Sequence, residues 1–333
     1  MTTELKSFQF RKERQASWRE LEKMVERIEK GGLRSLDAAE LARLPVVYRS
    51  TLSALSVARS ISLDRALLEY LEVLSARAYF CVYGSTTSLG GSIGDFFLRR
   101  FPVTVRRHLV PIGIAAFVML CGVLVGWVLT ARDADWFYVF VDEGLASGRN
   151  PAATTEELRE PLFDGGGGEG LGTFASFLFT HNTRVGFLAF ALGFLAGVPV
   201  FVLMLMNGMM LGAFAALHSS RGLTVEFWGW ILPHGFPELW AIILCGGAGL
   251  ILARAIVFPG RQTRLANLAR QGREAGVIVT GCIALFLVAG LVEGFFRQLV
   301  TNTAIRYVVA AAGLAILVAY FGLAGRTREA ARG

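Results

Sequence analysis

The chain has 333 residues, of which 54% are hydrophobic and 25 are Phe, and its mean hydropathy is +0.52. This composition excludes an average soluble domain and predicts an all-α, polytopic membrane protein whose main partner is the lipid bilayer. The formal net charge is +7, but the positive residues cluster beside the apolar runs. That distribution follows the positive-inside rule, so we expect no nucleic-acid partner.

Residues 1–94 predict a cytoplasmic helical domain followed by a linker. The first helix has one apolar face, formed by Trp18, Leu21, Val25 and Ile28. We expect Ser35 to cap a short second helix that Pro45 closes. Ser62 would cap a third, on which Leu63, Leu67, Leu71 and Leu74 are stacked. The polar, Gly-rich residues 84–94 then form the linker.

Residues 109–325 predict a transmembrane domain. Its clearest spans are 109–131, 276–294 and 304–325, because apolar runs of this length reach about 30 Å at ~1.5 Å per residue. Residues 95–108 mix aromatic side chains with arginines, which predicts an amphipathic segment at the membrane surface.

The charges of the loops predict the orientation of the chain. Most charged residues in the stretch 132–181 are acidic, and the stretch includes a run of four glycines, so we expect a flexible external loop. The loop 259–275 and the tail 326–333 are basic and therefore cytoplasmic. Both termini are then cytoplasmic, and the chain must cross the membrane an odd number of times between 181 and 261.

This parity predicts about six crossings with a broken or re-entrant region. One span covers 184–206 and is interrupted by Pro199, and a turn follows at Asn207 and Gly208. A return leg contains a polar break at 219–224, and the last inward span is 238–258. A re-entrant hairpin in place of the return leg remains open.

The segment "LPHGFPELW" places ionisable residues and helix breakers at membrane depth. Pro233, Gly235 and Pro237 predict a break, after which a new helix begins near Glu238 and its dipole favours that carboxylate. The pair His234 and Glu238 is open to three interpretations: a polar clamp on the break, a site for a proton, ion or headgroup, or a metal or hydrolytic centre. The last is least favoured, because one His and one Glu are too few ligands. We therefore expect no metal, no cofactor and no catalytic residue.

Glycines recur at GxxxG spacing in the apolar segments, including Gly122 with Gly126 and Gly208 with Gly212. Small residues at this spacing let helices approach closely in lipid, and we expect packing within one chain rather than a dimer seam. Glu293 and Arg297, four residues apart, predict an ion pair.

The stretch 174–214, followed by "LPHGFPELWAIILCGGAGL", resembles the stage II sporulation protein M family. The matching positions are Asn182, Asn207, Gly208, Gly212, Pro233, His234, Gly235 and Glu238, and His181 stands where the family often has a first Asn. The resemblance implies a bacterial or archaeal inner (cytoplasmic) membrane protein. In spore formers, members anchor cell-wall-degrading enzymes, but the long N-terminal domain here departs from that form.

The candidate polar membrane site therefore consists of His234, Glu238, Asn207 and Asn182. We expect a non-enzymatic, homodimeric protein that organises an envelope-remodelling or membrane-transport assembly with envelope-enzyme or ATPase partner subunits. The alternative is a permease or lipid-handling transporter resembling an ABC-2-type exporter subunit, and a weaker one is an intramembrane hydrolase. A closed, dry core around Glu238 would count against transport, and polar access to it would favour transport.

Overall fold

The computed structural model describes residues 2–60, 65–83, 89–163, 170–296 and 299–326. Within these residues the chain is helical and contains no strand. The chain divides into two compact units, Met1–Ser92 and Ile93–Gly333. The prediction of an all-α, polytopic membrane protein is confirmed.

The N-terminal unit contains α1 (Thr2–Gly31), α2 (Ala38–Ser60) and α3 (Arg65–Tyr83). They enclose one apolar core, which includes the predicted face of α1 together with leucines of α3: Trp18, Leu21, Val25, Leu67, Leu71 and Leu74. Apolar positions three and four residues apart build this core because they recur on one side of each helix.

The second helix starts and ends elsewhere than predicted. Asp37 caps it, since the Glu40 N–H donates to Asp37 Oδ1 at 2.8 Å and the Asp37 N–H donates to Glu40 Oε2 at 3.0 Å. Ser35 lies in the preceding 3₁₀ turn. The helix continues through Pro45, because burial of residues on both sides of the proline outweighs one lost hydrogen bond. The predicted cap Ser62, with Leu63, lies outside the described residues.

The boundary between the two units falls within α4 (Leu89–Asp95), a helix in the predicted linker. A π-helical turn (Phe96–Arg100) and α5 (Phe101–Arg107) follow it in the membrane unit. Among the residues that the structure describes, five helices are long and apolar enough to cross a membrane. These are α6 (Leu109–Arg132), α11 (Val198–Ser220), α12 (Thr224–Val257), α13 (Arg264–Leu291, extended by a π-helical turn at Val292–Phe296) and α14 (Thr303–Leu323). A further helix, α10 (Gly170–Ala191), packs beside α12.

The helical boundaries in the middle of this unit differ from the prediction. The chain turns at 195–197, where Gly197 has a φ of 84°, and Pro199 lies in the first turn of α11. Asn207 and Gly208 lie inside α11, so the predicted turn there is wrong. The Asn207 side chain donates one hydrogen bond to the Leu203 carbonyl at 2.9 Å, within the same helix.

The predicted break in α12 is also wrong. The helix is continuous from Thr224 to Val257, with Pro233 and Pro237 in its interior. Each proline leaves one carbonyl without its helical N–H partner, namely those of Gly229 and Pro233. Helices α6, α10, α13 and α14 pack along α12, and this packing compensates for the hydrogen bonds that the prolines remove. Glu238 therefore lies in mid-helix and not in a first turn.

The acidic segment after α6 is folded where it is described. It forms α7 (Trp136–Phe140), α8 (Glu143–Ala146) and α9 (Thr155–Phe163). Phe137 and Leu158 are buried against Leu217 of α11, so the flexible loop predicted for this part is wrong. Residues 164–169, with the glycine run, lie outside the described residues. The predicted loop 259–275 is shorter, because Thr263 caps α13 and helix begins at Arg264.

Helices α6 and α11 contact each other through four glycines, which we call the glycine seam: Gly122, Gly126, Gly208 and Gly212. A Cβ atom on Gly126 would lie 2.1 Å from the Met209 carbonyl oxygen, and one on Gly208 would lie 2.1 Å from that of Met119. Side chains larger than hydrogen do not fit there. These two GxxxG pairs therefore serve packing within the chain.

Candidate functional site: a polar cavity at membrane depth

A cavity of about 150 Å³ lies in the membrane unit, between α10, α11, α12 and the end of α13. Its polar lining consists of Arg149, His181, Asn182, Asn207, His234, Glu238 and Glu293. Its apolar walls include Met119, Met210, Phe214, Phe227, Trp230 and Ile242. We call this space the polar cavity. All four residues of the site predicted from the sequence line this cavity.

The centre of the polar cavity is a cluster of three ionisable side chains, His234, Glu238 and Glu293, which we call the ionisable cluster. One ligand atom from each residue lies within 4.8 Å of the others, and His234 Nε2 lies 3.8 Å from Glu293 Oε1. His234 and Glu293 are each 5% exposed, whereas Glu238 is half-buried. The cluster is thus enclosed by protein but open toward the cavity at Glu238.

The unbroken α12 explains why two of these residues meet. His234 and Glu238 are one helical turn apart, so both project from the same face of α12. Trp230 lies one turn earlier on this face, and its ring meets the His234 ring edge-on at 5.9 Å between centroids. The "LPHGFPELW" block thus builds one continuous polar stripe on a helix.

The third residue comes from a different helix. Glu293 lies in the π-helical turn Val292–Phe296 that continues α13. Such turns are rare, and proteins often use them at functional sites because the extra residue redirects side chains. Here the turn places a carboxylate against His234.

The sequence contained one signal for Glu293 that the prediction did not use. It is the one charge inside the predicted span 276–294. The prediction assigned it to an ion pair with Arg297, which lies outside the described residues. Charged residues within a span usually face the interior of the bundle, and Glu293 does so.

The acidic segment contributes Arg149, which follows α8, to the lining of the polar cavity. Its guanidinium donates to the carbonyls of Leu145 at 2.9 Å and Ala146 at 3.0 Å. The same group lies 4.9 Å from the Phe214 ring centre and 5.8 Å from that of Trp230. Arg149 thus joins the acidic segment to the aromatic walls of the cavity.

The ionisable cluster lies well inside the apolar part of α12. Counted from Thr224, His234 is ~15 Å and Glu238 ~21 Å along the helix axis. Two ionised carboxylates within 4.8 Å repel each other by about 3 kcal/mol or more at an effective dielectric constant of ~20. A proton or a cation held between them removes this repulsion. Cation or proton binding is the chemistry that this arrangement can perform.

Apolar helices enclosing ionisable side chains at this depth define a polytopic α-helical membrane protein with an internal polar site. The family model of Stage II sporulation protein M matches residues 115–297, more than half of the chain, and the chain belongs to that family. A second family model, a domain of unknown function (DUF8413), matches residues 8–84. No curated protein and no solved structure matches the chain.

Proposed function

We propose that this protein is a membrane transport protein in which the polar cavity takes up a proton or a small cation. The observation that carries the proposal is the convergence of His234, Glu238 and Glu293 on one cavity at membrane depth. Ionisable side chains are expensive in a membrane, and proteins that keep them there generally use them for ions or protons.

A purely structural role explains the ionisable cluster less well. The two carbonyls released by the prolines of α12 need hydrogen-bond donors. An ionised carboxylate only accepts hydrogen bonds, so neither Glu238 nor Glu293 can satisfy a carbonyl in that state. Two nearby carboxylates add electrostatic repulsion without closing the helix. Binding of a proton or a cation between Glu238 and Glu293 accounts for the presence of two carboxylates so close together.

Flux in proteoliposomes tests the proposal. The full chain is reconstituted into vesicles that contain a pH-sensitive or a divalent-ion-sensitive dye, and an inside-negative potential is imposed. We expect uptake of protons or of a small cation, and we expect Glu238→Gln and Glu293→Gln to reduce it to the level of protein-free vesicles.

Glu274→Gln is the matched control for these variants. Glu274 is a carboxylate on the same helix as Glu293, but it pairs with His108 away from the polar cavity. This variant should keep wild-type flux. A folded wild-type protein that transports neither protons nor any tested cation would overturn the proposal.

The N-terminal unit favours a second function, the organisation of an assembly. This unit has its own core, and three aromatic side chains near the end of α3 are exposed: Tyr79 by 50%, Phe80 by 72% and Tyr83 by 63%. An exposed aromatic cluster is typical of a docking surface for a protein partner. A partner subunit such as an ATPase or an envelope enzyme would bind there.

Substitution of this surface separates the two functions. We expect Phe80→Ser to lower the mass of the native complex isolated in mild detergent, while flux of the reconstituted chain is unchanged. Exposed Val73, on the same helix and 58% exposed, supplies the control Val73→Ser. An unchanged mass for Phe80→Ser would contradict a docking role.

The remaining features of the proposal are the orientation, which rests on charge, and the location and oligomeric state. We place both termini in the cytoplasm and the acidic segment outside, since basic residues flank the other end of the spans. This orientation requires six crossings, so we assign the sixth to α10 beside the five long apolar helices. The protein would be a non-enzymatic, homodimeric component of a bacterial or archaeal inner membrane. A protease that cleaves the acidic segment only from the outer side of intact cells would support this orientation.

A further inference from the structure

We infer that the ionisable cluster is a binding site for a divalent first-row transition-metal ion, with Zn²⁺ as the best match. The inference rests on the proposed function and names the cation that the polar cavity takes. It goes against the sequence-based expectation of no metal, which counted only His234 and Glu238 as ligands. Glu293 supplies the third ligand.

The distances within the cluster fit a metal ion after small side-chain movements. Nitrogen and oxygen ligands lie about 2.1 Å from Zn²⁺, so two ligands of a tetrahedral ion are about 3.4 Å apart. The observed separation between His234 Nε2 and Glu293 Oε1 is 3.8 Å, and all three ligand atoms lie within 4.8 Å. The inference requires the half-buried Glu238 side chain to rotate toward His234 and Glu293 when the ion binds.

The charges of the cluster also fit a divalent cation. With a neutral imidazole and two carboxylates, the three ligands carry two negative charges in a poorly solvated site. A divalent ion neutralises both of them at once.

The ligand types select the class of ion. Mg²⁺ and Ca²⁺ prefer oxygen ligands only, whereas imidazole together with carboxylates suits Zn²⁺ and its neighbours in the first row. Three protein ligands leave a fourth position of a tetrahedral ion open, as in sites that exchange water or substrate. The polar cavity, which these three ligands line together with Asn182 and Asn207, would supply the space for such an exchangeable ligand. The site is therefore built to exchange its ligand rather than to hold a permanently closed structural ion.

Equilibrium binding of Zn²⁺ to the full chain tests the inference. The chain is purified in detergent, stripped with a chelator and titrated with Zn²⁺ by calorimetry. We expect one Zn²⁺ per chain, and no displacement by Mg²⁺ in large excess. Glu238→Gln, Glu293→Gln and His234→Gln should each weaken binding by about 100-fold or more, because loss of a ligand exceeds the 10–100-fold effect of outer partners.

Two further variants control this titration. Glu274→Gln removes a carboxylate from the other His–Glu pair of the membrane unit and should leave the affinity for Zn²⁺ unchanged. Glu238→Asp keeps a carboxylate and should bind Zn²⁺ more tightly than Glu238→Gln, while an unchanged melting temperature of Glu238→Gln shows that its loss of binding does not come from unfolding. The inference is overturned if the wild-type chain binds no Zn²⁺, or if Glu274→Gln weakens binding as much as the cluster variants.

The two proposals fail in different ways. Proton flux measured with a chelator present tests transport without the metal. If that flux persists and no Zn²⁺ binds, only the metal inference is overturned. If Zn²⁺ binds with the expected variant pattern but no cation crosses the vesicle membrane, the site inference stands and the transport proposal is overturned.

Discussion

The glycine seam and the polar cavity both lie in the membrane unit, and both involve α11. In the seam, four glycines let the α6 and α11 backbones meet, and a Cβ would lie as close as 2.1 Å to a carbonyl oxygen. In the cavity, α12 and the end of α13 instead bring ionisable side chains around an open volume of about 150 Å³.

The difference separates the requirements of folding from those of function. Helices associate in lipid by close packing, and the glycines of the seam provide this without a polar side chain. At the cavity the helices are less closely packed, and ionisable side chains lie inside the membrane unit, where charge is energetically unfavourable. We therefore expect damage to the seam to prevent folding, and neutralisation of the cavity to leave folding intact.

The largest effect should come from filling the seam. Gly126→Val forces side-chain atoms into the Met209 backbone, so α6 and α11 must separate. Overpacking typically costs about 1–3 kcal/mol, and a clash with backbone exceeds this range. We expect no monodisperse protein in size-exclusion chromatography. Gly113→Ala, at a position of α6 with nothing within 4 Å, should elute as wild type.

A smaller loss of stability should follow when the hydrogen bonds that attach the acidic segment to the membrane unit are removed. Buried Arg306 donates to the carbonyls of Leu162 at 2.8 Å and Val300 at 2.6 Å. Arg306→Ala leaves these carbonyls without that donor, so we expect a loss of about 2–3 kcal/mol and faster proteolysis within α9.

Arg159 is the matched control for this effect. It also lies over the Phe163 ring, at 5.5 Å compared with 5.6 Å for Arg306, but it is exposed. Arg159→Ala should therefore change the proteolysis rate little. Equal rates for the two variants would show that the buried hydrogen bonds of Arg306 do not hold α9.

Neutralisation of the ionisable cluster should change stability least within the membrane unit. In the double variant Glu238→Gln/Glu293→Gln, amides of nearly the same shape replace two mutually repelling carboxylates. Relief of the repulsion between the two carboxylates offsets the loss of the His234–Glu293 contact, so we expect a change within about 1 kcal/mol. Thermal unfolding in detergent measures it, and a loss as large as that of Arg306→Ala would assign the cluster a structural role.

The smallest effect on stability should come from protonation of Glu29, which forms an ion pair in the N-terminal unit. The Arg77 guanidinium donates to the Glu29 carboxylate at 3.0 and 2.6 Å and lowers the pKa of Glu29 below 4.5. A lowered folded-state pKa means that this contribution is present above pH 4.5 and is lost as the pH falls through the folded-state value. Because both side chains are well exposed, the contribution is small.

Hydrogen exchange of α1 and α3 in the full chain checks this prediction. Protection should fall below pH 4.5, and Glu29→Gln should flatten that part of the profile. Glu69→Gln is the control, since Glu69 pairs with Arg65 within α3 and does not connect two helices. Identical profiles for Glu29→Gln and the wild type would contradict the assignment.

Sequence patterns predicted the parts of this fold that depend on periodicity. The apolar runs located α6, α13 and α14, and one face of α1 located the N-terminal core. The family block also indicated His234, Glu238, Asn182 and Asn207, which the fold brings to one cavity.

Positions where tertiary contacts override local signals were not predictable. Asn207-Gly208 is a strong turn signal in water, but here Gly208 packs against the backbone of α6 and the turn lies at Gly197. The prolines of α12 likewise predict a break that neighbouring helices prevent. Glu293 reaches the site through a π-helical turn, a backbone feature without a simple sequence pattern.

Cation flux and melting temperature, measured on the same proteoliposomes of the Glu238→Gln/Glu293→Gln variant, test the central claim most directly. This claim is that the ionisable cluster serves binding and transport rather than folding. It predicts that flux falls to the level of protein-free vesicles while the melting temperature stays at the wild-type value. Retained flux, or a melting temperature that falls together with flux, would contradict it.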